Sequence, residues 1–185
     1  RVIPQRDILT FAVEAFFSEI ARFFRDSAVI RSQSKSEAKI RFTDELRRQP
    51  QWQSLVLVTV AQLIGEIKNF HRLLLHLENA LQALEEDVTG PLFPLLVELR
   101  ALTDRVEISA STLGEIFGEP DDKKVRWVEI RQGKSSPLIT LKQAPLSVDE
   151  LLHEKVFNRF ATIILSSATL TTNRHFEYIK SRLGL

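Results

Sequence analysis

A long heptad pattern is the feature of this 185-residue sequence that most restricts its fold. From about Gln51 to Glu85, apolar residues recur at steps of four and three, at Val56, Val60, Leu63, Ile67, Phe70, Leu74, Leu77, Leu81 and Leu84. Such a seam is typical of helices that pack nearly parallel to one another by knobs-into-holes contacts. A helix of this length would measure about 50 Å, and we expect it to project from any compact domain of this size.

Two further segments share this helical periodicity. In Asp7–Arg25 the apolar stripe consists of Leu9, Val13, Phe16, Ile20 and Phe23. After a break at residues 87–91, in which Pro91 is suited to the first position of a new helix, the stripe resumes at Leu92, Leu95, Leu99, Leu102, Val106, Leu113 and Ile116. A short break between two heptad helices favours an antiparallel hairpin, with the first helix as a third wall. We therefore predict a mainly α fold, with a helical domain over residues 1–120.

After residue 120 the apolar period changes to two. The runs VRWVEIRQ and LITLKQAP predict a β-hairpin, and KIRFTDELRRQ further upstream indicates a short strand or extended segment. Ser147 and Glu150 form a capping-box pattern before a short helix, and Gly184 lies near the C-cap of a final helix. Between these helices, Ala161–Leu165 has the composition of a strand covered on both faces.

Residues 121–185 are therefore predicted to form a small α/β portion that contains a β-hairpin and the last strand of a larger domain. Because one strand cannot form a sheet, we expect the other strands in a longer parent polypeptide. The absence of methionine also suggests a piece of a longer chain.

Charge is balanced overall but not locally. The chain has 25 Lys and Arg residues against 24 acidic residues, a sum that neither indicates nor excludes nucleic acid. From Arg22 to Arg48, however, basic residues outnumber acidic ones by eight to four. This stretch is either a solvated face or a patch that contacts phosphates through Arg22, Arg25, Lys39, Arg41, Arg47 and Arg48. Trp52, where the heptad helix begins, is either a core residue or a platform on which a base stacks.

The composition excludes several kinds of site. Without cysteine the chain has no disulfide, thiolate nucleophile or thiolate metal site, which suits an intracellular, cytoplasmic protein. The four histidines are not spaced as zinc ligands, so we expect no metal site. No uncharged apolar stretch reaches about 18 residues, and we expect no membrane partner.

Ser166-Ser167-Ala168-Thr169 follows the predicted strand directly. One interpretation is structural: the strand ends, and Thr171, Thr172 or Asn173 caps the final helix. The other is functional, because ligands of α/β sheets bind beyond the carboxyl ends of strands. Hydroxyls there can hydrogen-bond a nucleotide phosphate, its Mg²⁺ ligands or the carboxylate that holds the metal.

Several spaced elements together resemble the DinG/XPD-like superfamily 2 DNA helicases. They are Trp127-Val128-Glu129, LKQAPLSV at 141–148, Leu151-Leu152, Val156-Phe157, IILSSATL at 163–170, Phe176 and Leu183-Gly184-Leu185. The resemblance implies that Ser167, Ala168 and Thr169 belong to motif III, which couples ATP hydrolysis to movement on DNA. It also implies that residues 1–120 are the arch domain that these helicases insert upstream of motif III.

The resemblance implies further partners for the parent enzyme: ATP, Mg²⁺, single-stranded DNA and the remaining motor domains of the same polypeptide. A phosphate loop, an acidic magnesium box and the motif VI arginine are absent from this sequence, so the fragment alone is expected to be inactive. Some relatives carry an iron–sulfur cluster, which the parent can also contain but which no cysteine of this chain can bind.

Two other interpretations remain open. The helical bundle can be an interaction module that binds a partner helix along its seam, without any role in nucleic-acid binding. The heptads can also drive homodimerisation.

Overall fold

A computed structural model describes residues 2–26, 37–84, 90–133, 137–167, 169–171 and 175–185, without the side chains of Arg25 and Asp26. The chain divides into two compact units. The first comprises Arg1–Pro120 with Arg126–Lys142, and the second comprises Asp121–Val125 with Gln143–Leu185. The chain therefore passes from one unit to the other within two β-strands, at residues 125–126 and 142–143. Most of the predicted hairpin belongs to the unit that contains the long helices.

Four α-helices lie in the described residues of the first unit. They are α1 (Val2–Asp26), the short α2 (Asp44–Arg47), α3 (Leu57–Gln82) and α4 (Phe93–Phe117). A π-helical turn at Trp52–Val56 leads into α3, and a 3₁₀ turn at Gly90–Leu92 precedes α4. Pro94, rather than the predicted Pro91, occupies the first turn of α4, where its missing N–H removes no helical hydrogen bond.

Helices α3 and α4 pack antiparallel. His71 Nε2 of α3 lies 3.9 Å from Glu107 Oε2 of α4. Nearer the start of α3, Ile64 shares a groove with Gly114, and nearer its end Glu78 shares another groove with Arg100. Rising residue numbers on one helix thus meet falling numbers on the other.

Helix α1 packs along α3 as a third wall. Gln5 Nε2, near the start of α1, donates a hydrogen bond of 2.6 Å to Glu66 Oε2 of α3. Toward the other end of α1, the ring of Phe23 contacts that of Trp52, just before α3 begins. The prediction of a three-walled antiparallel helical packing is confirmed, while the arch-like identity of these helices stays a prediction.

The buried face of α4 includes Ile116 as predicted but differs from the predicted stripe at two positions. Leu95 and Leu102 were expected in the seam but are 60% and 45% exposed. Thr103 and Ala110 are buried instead, at 1% and 6% exposure. The Thr103 hydroxyl donates a 2.9 Å hydrogen bond to the Leu99 carbonyl, which satisfies its polar group inside the helix pair. Small side chains therefore share this seam with larger apolar ones, and a count of large apolar residues does not reveal them.

Trp52 lies at the centre of the core of the first unit. It is 1% exposed, and its ring centroid lies 5.1 Å from Phe42, 5.9 Å from Phe23 and 5.9 Å from Phe117. These rings come from different elements, so the aromatic contacts join α1, the end of β1 and the end of α4. The core interpretation of Trp52 is confirmed, and the hypothesis that a base stacks on this residue is wrong because its ring is inaccessible.

The sheet has three strands in the order β1 (Glu37–Arg41), β2 (Lys124–Arg131) and β3 (Leu138–Pro145). Strand β1 pairs antiparallel with β2, and Lys39 lies opposite Glu129. Both the predicted hairpin and the predicted short strand are present.

Two arginines hold the carboxyl end of α4. Nη1 of Arg47 donates a 2.8 Å hydrogen bond to the Gly118 carbonyl, and Nη1 of Arg126 donates to the same oxygen at 3.0 Å and to the Glu119 carbonyl at 2.6 Å. Cationic donors at a helix C-terminus complement its partial negative charge. Helix α2 and strand β2 are thereby tied to the same helix end.

The second unit contains α5 (Asp149–Lys155), a 3₁₀ turn at Phe157–Arg159 and α6 (Glu177–Leu183). The predicted capping box before α5 is wrong, because Val148 occupies the N-cap. The Ser147 hydroxyl instead hydrogen-bonds the Asp149 carboxylate and lowers its pKa. Gly184 ends α6 as predicted, with a φ of 76° that favours glycine.

Neither the predicted strand nor the predicted cap of α6 is observed. Phe176, not Thr171, occupies the N-cap of α6, and Thr172 and Asn173 lie outside the described residues. Within the described chain, residues 162–167 pair with no strand, and Ile164 is 89% exposed. The reason is physical: a strand needs a hydrogen-bonded neighbour, and this portion of the described chain contains none.

The aromatic core allows a test of the fold. Substitution Trp52→Ala removes a buried indole and leaves a cavity, and should lower the free energy of unfolding by about 3–5 kcal/mol. Urea denaturation followed by circular dichroism measures this loss. The control Phe11→Ala, at a ring that is 73% exposed on α1, should change stability by less than about 0.5 kcal/mol. Equal losses in both variants would contradict the central position of Trp52.

Candidate nucleic-acid interface

One face of the sheet is packed on the helices and the other is charged. Ile40 of β1 and Val128 of β2 are 1% and 0% exposed and belong to the core. Because side chains alternate along a strand, their neighbours Lys39 and Glu129 point to the opposite face. We call this surface the outer sheet face, formed by Glu37, Lys39, Arg41, Trp127, Glu129, Arg131, Thr140 and Lys142.

Glu129 lies at the centre of the outer sheet face and is 5% exposed. Its Oε1 accepts a 3.0 Å hydrogen bond from Trp127 Nε1 and lies 3.7 Å from Lys39 Nζ. Its Oε2 lies 2.9 Å from Lys142 Nζ and 3.7 Å from an Arg131 guanidinium nitrogen. Groups from all three strands therefore converge on one carboxylate, and their side chains cover it from solvent.

This arrangement strongly favours the charged form of Glu129. Hydrogen bonds from Trp127 and then Lys142, with the positive charge of Lys142 and Lys39, lower the pKa of Glu129 from 4.5 to about 2. The surrounding cations keep access to solvent, since the side chains of Lys39, Arg131 and Lys142 are 60%, 56% and 41% exposed. Their amino and guanidinium groups are thus oriented by a fixed carboxylate but remain available to a ligand.

The predicted phosphate-contacting residues do not form one patch. Lys39 and Arg41 lie on the outer sheet face, both exposed. Arg22 is exposed on α1 and forms an ion pair with Glu19, and Arg48 is exposed directly after α2. The side chain of Arg25 lies outside the described residues.

Arg47 has a structural position. Besides its bond to the Gly118 carbonyl, its guanidinium carbon lies 5.5 Å from the centre of the Trp52 ring. Burial, and then the nearby charge of Arg126, lower the pKa of Arg47. Arg47 therefore anchors the end of α4 and does not form part of an open surface.

Of the outer sheet face, only Lys39 and Arg41 were predicted from the sequence, and the members not predicted include Trp127, Arg131 and Lys142. The alternation in VRWVEIRQ was the available signal, because it places Trp127, Glu129 and Arg131 on one side of a strand. What the alternation does not reveal is the partner strand, and with it the proximity of Lys39.

The hydroxyl groups of Ser167 and Thr169 lie close together in the second unit. The Ser167 and Thr169 side-chain oxygens lie 3.3 Å apart, and the Thr169 backbone N–H donates to Ser167 Oγ, also at 3.3 Å. Both residues are exposed, while Ala168 lies outside the described residues. Two hydroxyls thus face solvent close enough together to hydrogen-bond a single oxygen of a ligand.

The described residues contain no group of three or more His, Cys, Asp or Glu residues arranged to hold a metal ion. Of the helices in the described ranges, none combines the length and apolar character that crossing a bilayer requires.

The shifted pKa of Glu129 predicts a pH dependence of stability. A carboxylate whose pKa is lowered by folding stabilises the protein above its ordinary value of 4.5, and this contribution disappears as the pH falls toward about 2. In the wild type, the urea midpoint should therefore fall steeply as the pH is lowered from neutral through 4.5 toward about 2. Glu129→Gln should be less stable at neutral pH and show a shallower fall. The control Glu98→Gln, on the exposed side of α4, should keep the wild-type dependence of the urea midpoint on pH. If Glu129→Gln keeps the same dependence, the stabilising role of the Glu129 carboxylate is wrong.

No protein-family model matches the chain. It is 44% identical over 90 residues to proteins named ATP-dependent helicase DinG from Mycobacterium tuberculosis and Mycobacterium bovis, which covers 48% of this chain and 13% of each relative. It is 35% identical over 74 residues to a protein named 3'-5' exonuclease DinG from Bacillus subtilis, which covers 40% of this chain and 8% of the relative. About half of the chain is therefore similar to a small part of DinG proteins.

Proposed function

We propose that this chain is part of a DinG-like ATP-dependent DNA helicase. The observation that carries the proposal is the 44% identity over 90 residues to proteins named ATP-dependent helicase DinG. Because the chain spans 13% of those relatives, the activity belongs to a longer enzyme that supplies the ATP and Mg²⁺ sites. Its substrate is DNA, and the enzyme moves along a single strand while hydrolysing ATP.

Ser167 and Thr169 are proposed to couple hydrolysis to movement. Their hydroxyls, with Ala168 between them in the sequence, would hydrogen-bond near the γ-phosphate or the carboxylates that hold Mg²⁺. Two features support this role: both side chains are exposed, and their oxygens are 3.3 Å apart. A hydroxyl pair of this kind can donate to one oxygen when the phosphate is present and rearrange when it leaves.

The segment before these hydroxyls is proposed to be a strand of the motor domain. Phe160, Ile164 and Leu165 are 62%, 89% and 45% exposed, which is unfavourable for side chains of this size. Neighbouring strands and helices of the longer enzyme would cover them. The apolar composition of Ala161–Leu165 favours a strand that is buried on both faces.

Residues 1–120 are proposed to be the arch, and residues 121–185 the hairpin and partial motor domain. The antiparallel pair of α3 and α4 supports this, because helices of 26 and 25 residues extend about 40 Å from the core around Trp52. Such a pair can form one wall of a path for single-stranded DNA. Of the predicted phosphate-contacting residues, Lys39 and Arg41 lie together on the outer sheet face. Phosphate contacts by the other predicted residues stay a prediction.

Coupling can be tested in the longer enzyme. Ser167→Ala and Thr169→Ala should reduce unwinding of a tailed duplex by at least about tenfold while leaving DNA-stimulated ATP hydrolysis within about threefold of wild type. The reason is that each change removes a hydroxyl, and the methyl group also lost from Thr169 lies on an exposed residue. Fluorescence unwinding and phosphate-release assays measure the two rates, and melting temperatures serve as the control. Parallel loss of both rates together with a lower melting temperature would instead indicate a packing role.

DNA binding can be tested on this chain directly. Fluorescence anisotropy with labelled oligothymidine should show binding that weakens as salt rises, because phosphate contacts release counterions. Light scattering on the same samples measures self-association. A salt-independent or undetectable signal, with the chain folded, would contradict a DNA role and favour a helical interaction module or a homodimer.

A further inference from the structure

We propose that the outer sheet face is where single-stranded nucleic acid binds this chain, with phosphates against Lys39, Arg131 and Lys142 and a base against Trp127. This inference rests on the proposed helicase function and adds a specific location to it. It differs from the basic stretch seen in the sequence, because two of its three cations and its aromatic residue come from β2 and β3.

The charge of the outer sheet face supports an anionic ligand. Lys39, Arg41, Arg131 and Lys142 supply four cations, against two carboxylates. Of these carboxylates, Glu129 is covered by neighbouring side chains, whereas Glu37 is 41% exposed and contacts Arg131 Nε at 3.3 Å. The accessible charge is therefore predominantly positive, as a phosphate backbone requires.

The cations are also ordered across the sheet. Lys39 lies opposite Glu129 on β1, and Lys142 approaches the same carboxylate from β3. Since adjacent strands are about 4.8 Å apart, these two lysines extend from backbones about 10 Å apart on either side of β2. A backbone that crosses the strands would meet several cations in succession.

Trp127 adds an aromatic surface to this charge. It is half-buried, lies opposite Arg41 in the strand pairing and donates its indole N–H to Glu129. That hydrogen bond fixes the ring on the outer sheet face instead of the core. A fixed aromatic ring beside cations is the arrangement on which bases of single strands stack. A cationic surface beside an aromatic ring suits a ligand that carries both phosphates and planar bases, which favours nucleic acid.

The charge contribution can be measured on the whole chain. The triple variant Lys39→Gln/Arg131→Gln/Lys142→Gln should bind labelled oligothymidine more weakly, and the dependence of log Kd on log salt should become shallower by about 2. Glutamine keeps an N–H donor for Glu129. The matched control Lys155→Gln/Arg159→Gln/Lys180→Gln removes the same charge from exposed positions of the second unit, and should leave the slope nearly unchanged.

The aromatic contribution can be measured separately. Trp127→Leu should weaken binding of oligothymidine about tenfold, whereas Trp127→Phe, which keeps a ring but loses the N–H, should remain within about threefold. An abasic oligonucleotide with the same number of phosphates should bind wild type and Trp127→Leu equally. Circular dichroism melts establish that each variant is folded, and the single variant Arg131→Gln, with a slope change of about 0.7, replaces the triple variant if that unfolds.

The outcomes separate the two proposals. Suppose that binding depends on salt, that the control triple substitution weakens it and that the triple substitution on the outer sheet face does not. This inference is then wrong, while the proposed DNA role remains intact. Equal binding of abasic and thymidine strands by wild type would overturn the stacking contact. Binding to anionic vesicles but not to oligothymidine would overturn both this inference and the DNA role.

Discussion

Aromatic packing around Trp52 is the interaction on which the first unit depends. Its ring contacts Phe23 from α1, Phe42 just after β1 and Phe117 at the end of α4. Aromatic pairs of this kind each add about 0.5–1.5 kcal/mol beyond the burial of their area. Because every ring belongs to a different element, the helices and the sheet share one core. The burial of Val128 in that core is also what turns the alternate residues of β2 outward.

The long helices could be predicted from the sequence because an apolar stripe at helical spacing can be buried in few ways. Their contact surface was less predictable. The count of large apolar residues selected Leu95 and Leu102, while the structure buries Thr103 and Ala110. Thr103 is acceptable there only because its hydroxyl bonds the Leu99 carbonyl, and that contact is invisible in a hydropathy pattern.

The strands and the candidate site depend on pairing between distant residues, which sequence periodicity does not encode. Ala161–Leu165 has the composition of a buried strand, yet composition alone does not supply a neighbouring strand. Counting charges along the chain found Lys39 but not Lys142, since the two meet only through β2 and Glu129. The low pKa of Glu129 arises from the same convergence and is equally absent from the sequence pattern.

The two arginines at the Gly118 carbonyl have a mechanical consequence. They anchor one end of α4 to α2 and β2, whereas Phe93 and Leu95 at its other end are 65% and 60% exposed. Because α4 also packs along α3, the two helices together form a lever whose base is the shared carbonyl. A load applied near Phe93 would therefore reach the sheet through two charge-assisted hydrogen bonds, more than 20 residues away.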